Sequence, residues 1–460
     1  MLFPTVTFAV FFCIVLPVSW ALMPHGRAWR AWILVASYVF YGWWDWRFVF
    51  LLLASTVVNH VVAVAIYRAQ AVAARKALVA LGVAFDLGLL AYFKYADFFL
   101  STVDNVFGTS WITNVALPVG ISFYTFMAMS YVIDTYRGEV VPASLERFAV
   151  FQAFFPHLVA GPIVRASELL PQLEKPRDPR RVDVPRAFVL IVSGLFLKVV
   201  IANHLSTHIV DDVFAAPNRH SSLEVLAAVY GYAVQIFADF CGYTNIAIGV
   251  ALLLGFEFPQ NFASPYTAAS LQDFWRRWHM TLSRWLRDYL YIPLGGNRKG
   301  RLLTYRNLML TFLLGGLWHG AAWTFVVWGG IHGAWLSLER VVGWRPQHRA
   351  AVWVGRIVTF HVVCFAWVFF RASSFGAAGQ MLARLFTAWG QSSSLVTTSV
   401  VLAILVGILG QYVRPTAVAA ITRGFGALPL PAQATAVAVC LVVILTLGPV
   451  GVAPFIYFRF

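Results

Sequence analysis

Residues 307–338 read NLMLTFLLGGLWHGAAWTFVVWGGIHGAWLSL, a stretch without a single Asp, Glu, Lys or Arg. An uncharged apolar run longer than the roughly 18 residues that cross a bilayer reads as membrane-embedded chain. Comparable runs lie near 3–22, 31–53, 55–67, 77–95, 116–136, 148–165, 187–203, 224–240, 244–256, 352–371, 396–413 and 434–448. The composition agrees. Of 460 residues, 60% are hydrophobic and 12% charged, and mean hydropathy is +0.74. So few charges cannot cover the surface of a soluble protein of this length. A soluble enzyme, a disordered chain and a disulfide scaffold are all excluded. The expected fold class is an all-α polytopic integral membrane protein of about 10–13 transmembrane or re-entrant helices.

The formal net charge is +15. In a membrane protein such an excess reflects Lys and Arg on cytoplasmic loops, so no nucleic-acid partner is expected. Arg27 and Arg30 follow the first apolar run and no basic residue precedes it, which favours an outside N-terminus and a retained first span. The four cysteines are isolated and form no CxxC, so neither a metal site nor a redox motif is indicated. The proline-rich segment 166–186 reads as a surface loop. No polar stretch is long enough to form a separate soluble domain, so one membrane-embedded domain over 1–460 is expected.

Within the opening stretch, His319 lies 13 residues past Arg306. On a straight helix that is about 20 Å, well inside the hydrocarbon zone. An ionisable group at such depth faces protein or an aqueous cavity. Gly315, Gly316 and Gly320 clear side chains from around it, so a backbone or a substrate can come close. A neutral histidine that hydrogen-bonds between packed helices accounts for these features equally well. His332, 13 residues further along the same helix and about 140° away around it, reads as structural. His361 reads as a packed membrane histidine.

A second signal begins at Ser270, which with Asp273 forms a helix-starting capping pattern. On one continuous helix, Leu271, Trp275, Trp278, Leu282, Trp285, Leu286 and Tyr289 share one face, within about 60° of a single direction. Arg276, Arg277, Arg284 and Arg287 occupy the other, with His279 at the edge of the aromatic face. Pro293-Leu-Gly295-Gly296-Asn297 follows as a turn whose N–H groups could approach an anion, with Arg298, Lys299 and Arg301 next. This is either an interfacial helix on anionic headgroups or a dock for a soluble polyphosphate. Charge alone does not separate the two.

These segments together resemble a known family, the membrane-bound O-acyltransferases, and within it the bacterial branch of alginate and polysaccharide O-acetyltransferase membrane subunits. The resemblance rests on FWRRWHMTLS (274–283), WLRDYLY (285–291), GGNRKG (295–300), YRN (305–307) and GGLWHG (315–320). SYVFY (37–41), LPVGISFY (117–124), FPH (155–157) and AGP (160–162) support it. DFCGYTN (239–245) departs from the family's Asp-Phe-Ser-Gly-Tyr-Ser-Asp by carrying Cys241 and Asn245, while Asp239 is kept.

The resemblance implies helices around a central tunnel, with an acyltransferase core over about 115–340 and C-terminal helices and an aromatic tail over 352–460. It implies that His319 is the catalytic histidine and His279 its partner. Acetyl-CoA would be the donor, with Arg276, Arg277, Arg284, Arg287, Gly295, Gly296, Asn297, Arg298 and Lys299 as candidate contacts to its phosphates. No bound cofactor or metal is expected. The tail PFIYFRF (454–460) is similar to one found in this branch, which suggests Tyr457 as an acyl relay. An aromatic belt at the interface explains the same residues.

The expected function is O-acetylation of an extracytoplasmic polysaccharide such as alginate, from a bacterial inner membrane, through a separate extracytoplasmic acetyltransferase. A transporter or proton channel using a buried histidine is the alternative, and a bis-histidine haem protein a third class. The absence of an internal repeat and of buried carboxylate chains counts against transport.

Overall fold

The computed structural model describes residues 1–108, 115–449 and 455–456. Every regular element among them is helical. Among the described residues, six helices are long and apolar enough to cross a membrane, or seven if the pair Thr398–Tyr412 and Pro415–Ala427, bent by 94°, forms one span. Pro415 explains that bend, because it has no N–H to continue the preceding helix.

The chain forms two compact units: 1–187 with 247–259, and 188–246 with 260–460. The first contains the helices Val6–Leu22, Gly26–Gly42, Arg47–Arg68, Val72–Leu90 and Ile121–Arg137. Its interior is aromatic, with Phe8, Phe11, Phe40 and Phe155 in mutual ring contact. Its polar interior groups pair across helices. Asn59 donates to Asp86 at 3.0 Å and Gln152 donates to Ser55 at 2.8 Å. Two readings need correction here. The runs 31–53 and 55–67 divide instead at Trp43–Trp46, between two helices. The segment 166–186 is not all loop: Ala166–Glu174 is a helix that buries Leu169, Leu170 and Leu173.

The second unit carries the segments singled out above. The runs 224–240 and 244–256 fall, up to Leu253, in one continuous helix, Ser222–Leu253, whose residues 222–246 belong to this unit and which is buried along almost its whole length. Gly242 does not interrupt it, because that glycine is where another backbone packs. The stretch 307–338 is the converse case. It is not one helix but two, Arg301–His319 and Trp323–Val342, separated by an extended Gly320 (φ −157°, ψ 149°).

These two helices form an antiparallel hairpin whose register is set by glycine. A Cβ on Gly316 would strike the Phe325 carbonyl and one on Gly329 the Phe312 carbonyl, while one on Gly333 would crowd the Met309 sulfur and Cα at 3.1 and 3.2 Å. Backbones this close exclude side chains, the small-residue packing that membrane helices use in place of a hydrophobic driving force. The consequence is positional: His319 sits at the turn of the hairpin, and Arg301 and Arg340 lie together at its open end.

Replacing Gly329 with Ala should destabilise the protein by about 1–3 kcal/mol, the usual cost of overpacking. Gly330→Ala, whose Cβ meets only the tip of Leu313 at 3.6 Å, should be neutral or mildly stabilising through helix propensity. Thermal unfolding in detergent separates the two.

Candidate active site

The basic segment is not the single amphipathic helix its sequence suggests. It begins as expected, with Ser270 Oγ accepting the Asp273 N–H at 3.1 Å. The first two N–H groups, of Leu271 and Gln272, are capped at 2.6 and 3.2 Å by the carboxylate of Glu339, from the hairpin's second helix. An acid belongs at that positive end. The helix then stops after Trp275 and a new one runs from Met280 to Leu286, continued by a π turn at Arg287–Tyr291. Trp278, Leu282 and Trp285 are buried, so the apolar face was legible even though the helix is broken.

The break centres on His279, which has φ 41° and ψ 54°. A non-glycine residue in that left-handed region costs about 1–3 kcal/mol and persists only when its surroundings fix it. Here Met280 N–H donates to the Asn261 carbonyl and Ala263 N–H to the Arg277 carbonyl, both at 2.9 Å. The Asn261 side chain then defines the imidazole. Its Oδ1 accepts from Thr281 N–H at 3.2 Å and from Thr281 Oγ1 at 2.9 Å, so the amide orientation is set by a backbone donor. The His279 Nδ1 lies 3.2 Å from the same oxygen and must donate to it. In the neutral ring the lone pair therefore resides on Nε2, which is buried and has no partner among the described residues.

His319 is the last residue of its helix and 4% exposed, and His279 is 0% exposed. Their ring centroids are 6.5 Å apart. Trp328 at 5.0 Å and Phe370 at 5.4 Å meet the His319 ring edge-on, holding it in place. His332 is not on the same helix as His319 but on the hairpin's return helix. Its Nδ1 accepts from Trp275 Nε1 at 3.3 Å. His361 is exposed rather than packed in the interior. Its Nδ1 donates to Ile357 O and its Nε2 accepts from Tyr230.

A cavity of about 1010 Å³ joins the two signals. Its lining takes in His319, Trp328 and Gly315 near the turn of the hairpin, Arg301 and Arg340 at the open end, and Arg276, Arg284, Arg287 and Arg345. Both ends of the Arg301–His319 helix line it, so it extends along a helix of about 27 Å. A long molecule with an anionic head and a reactive far end matches this shape and charge.

Not every basic or glycine residue singled out in the sequence takes part. Asn297 lines the cavity with Arg276, Arg284 and Arg287, whereas Arg277 instead pairs with Asp273 at 2.9 Å and bonds the loop at Ala263. Gly295, Gly296, Arg298 and Lys299 lie outside the lining. The glycine N–H groups do not face an anion, because they close the turn onto Ile292 O and Tyr291 O at 2.9 Å. Arg301 was read only as one of the basic residues after the glycine turn, and Arg340, Arg345, Glu339 and Asn261 were not anticipated. The three arginines come together only once the hairpin folds back, so spacing carries no trace of it. Tyr457 lies outside the described residues.

The tautomer is testable. In ¹⁵N-histidine spectra, the His279 Nε2 should show the shift of a bare ring nitrogen, identified by its loss in His279→Gln. Asn261→Leu should mix the tautomers.

The profile of the membrane-bound O-acyltransferase family matches residues 29–379. A probable alginate O-acetylase of Azotobacter vinelandii is 39% identical, over 93% of this chain and 94% of its own length. A probable alginate O-acetylase of Pseudomonas aeruginosa is 43% identical, over 77% of this chain and 69% of its own. A peptidoglycan O-acetyltransferase of Helicobacter pylori is 38% identical, over 77% and 73%.

Proposed function

Because the chain belongs to the membrane-bound O-acyltransferase family, we propose that it takes acetyl from cytoplasmic acetyl-CoA and passes it across a bacterial inner membrane. The destination is a hydroxyl of an extracytoplasmic polysaccharide, of the kind named for its relatives, alginate or peptidoglycan. The observation that carries this reading is one cavity whose lining takes in both His319 and a group of arginines.

The chemistry needs no added energy source, since a thioester is already activated. What the protein supplies is position, deprotonation and stabilisation of the oxyanion. Arg276, Arg284, Arg287 and the three arginines of the hairpin and its exit hold the CoA phosphates at the mouth, and the pantetheine arm lies along the hairpin. His319 takes the proton from the acceptor hydroxyl as its oxygen attacks the thioester carbonyl. The C–S bond breaks, and the proton passes from the imidazolium to the departing thiolate, releasing free CoA.

His279 orients the reactants. A ring whose Nδ1–H is held by Asn261 presents a lone pair, so, from just behind the cavity lining, it is suited to accept a hydrogen bond from a donor other than the hydroxyl proton that His319 takes, and not to donate to an oxyanion. The Trp328 indole N–H is buried without a partner among the described residues, and its ring borders the cavity at His319. We assign it to the oxyanion.

The acceptor is either Tyr457, as a relay, or a hydroxyl on an extracytoplasmic acetyltransferase of the same pathway. The final polysaccharide is modified by that second protein.

Purified protein, with the acetyltransferase present, should release free CoA from acetyl-CoA. His319→Ala should lower that rate by about 10²–10⁴, the range for a general base, while the variant remains folded. Equal release from both proteins would remove His319 from the chemistry. Arg284→Ala should raise KM for acetyl-CoA about tenfold and leave kcat nearly unchanged, since it removes a charge-assisted contact made equally in ground and transition states.

A further inference from the structure

Outside the cavity, the second unit contains a buried ion pair that the reaction above does not use. Gly194 and Gly242 bring two helical segments into backbone contact: a Cβ on either would lie 2.6 Å from the other's carbonyl oxygen. About one turn away from that contact on each segment, Lys198 Nζ donates to Asp239 Oδ1. Both side chains are buried, and Lys198 sits in a π-helical turn, Phe196–Ala202. Such turns recur at functional positions.

The carboxylate has a second oxygen, and its partner comes from 217 residues further along the chain. Asp239 Oδ2 accepts the Ile456 backbone N–H at 2.8 Å. Ile456 and Phe455 are 4% and 1% exposed, as deep as core residues. Phe455 lies 4.7 Å from the Tyr243 ring and 5.6 Å from Phe240. Phe240 in turn stands edge-on to His279 at 4.7 Å. Upstream, Gly448 packs against Val199, the neighbour of Lys198. The chain is therefore pinned on both sides of 449–454 at one small region.

We propose that Asp239 is a positioning residue: neutralised by Lys198, it latches the C-terminal segment through the Ile456 N–H, so that Phe455 backs the ring that holds His279. A buried carboxylate is retained only with its charge matched and its oxygens satisfied. A charge-assisted bond to a backbone N–H is roughly twice as strong as a neutral one. Two oxygens used in two directions make the pair a coupling between the helix contact and the end of the chain. The inference rests on the active-site role given above to His279.

The test combines labelling with kinetics. In a background with all four native cysteines replaced by serine or alanine, Ile456→Cys reports on the segment through its alkylation by a membrane-permeant maleimide. The double variant Lys198→Met/Asp239→Leu removes the latch without stranding a charge. It should unfold within a few degrees of its parent and be alkylated at least tenfold faster. Its kcat for acetyl transfer should fall at least tenfold, with KM for acetyl-CoA within twofold.

Unchanged alkylation would overturn the latch whether or not the protein turns over acetyl-CoA. Failure of the acyl-transfer reading would show separately, as no turnover in the parent. Faster alkylation with unaltered kcat and KM would overturn the positioning role. Should the double variant fail to fold, Asp239→Asn, which keeps an acceptor oxygen but not the charge, should accelerate alkylation severalfold. Parental protection in that variant would count against the proposal.

Discussion

The close contact between Gly316 and Phe325, and between Gly329 and Phe312, is the constraint on which the site depends. No residue with a side chain fits at these two glycines without parting the helices. Because they fit, the chain reverses within Gly320–Ala322, and one end of the hairpin carries His319 while the other gathers arginines. The cavity is the space alongside this hairpin. Its polar mouth and its buried histidine are two consequences of one packing decision.

A second constraint acts on His279. The residue occupies a strained left-handed conformation, and the interactions that stabilise it also select its tautomer. Asn261 performs both tasks, taking the Thr281 N–H and the imidazole N–H on one oxygen. Strain of this kind concentrates at sites where a side chain must be aimed rather than merely packed. The polar end of the segment is handled separately by Glu339, which caps the preceding helix and at the same time borders the cavity. Helix start, helix break and cavity wall are therefore fixed by two side chains, Glu339 and Asn261, from different parts of the second unit.

Much of this was legible in the sequence, and the remainder was hidden for definite reasons. Membrane embedding, the capping role of Ser270 and the burial of Trp278 and Trp285 follow from composition and periodicity, which are local. The break at His279 leaves no such mark, since histidine is not a residue that announces a left-handed turn. Residues 307–338 read as one helix because apolar character persists through the reversal. The glycines that mark the hairpin serve equally well in continuous helices, as Gly242 does within Ser222–Leu253. Arg340 and Arg345 lie about 40 residues beyond Arg301 in the chain, and only an antiparallel fold lets all three line one cavity. The glycine turn at 295–296 misled in the opposite direction: its permissive backbone was real, but its N–H groups close the turn itself.

The central claim is that one cavity holds a CoA thioester with its phosphates at the arginines and its reactive carbonyl at His319. A cryo-EM map with an acetyl-CoA analogue, in which carbon replaces the thioester sulfur, tests this most directly. The account predicts phosphate density among Arg284, Arg287 and Arg340, and the acetyl carbonyl within about 4 Å of His319, a separation from which attack can proceed. An analogue bound with its acetyl end away from His319, or density anywhere outside this cavity, would contradict it.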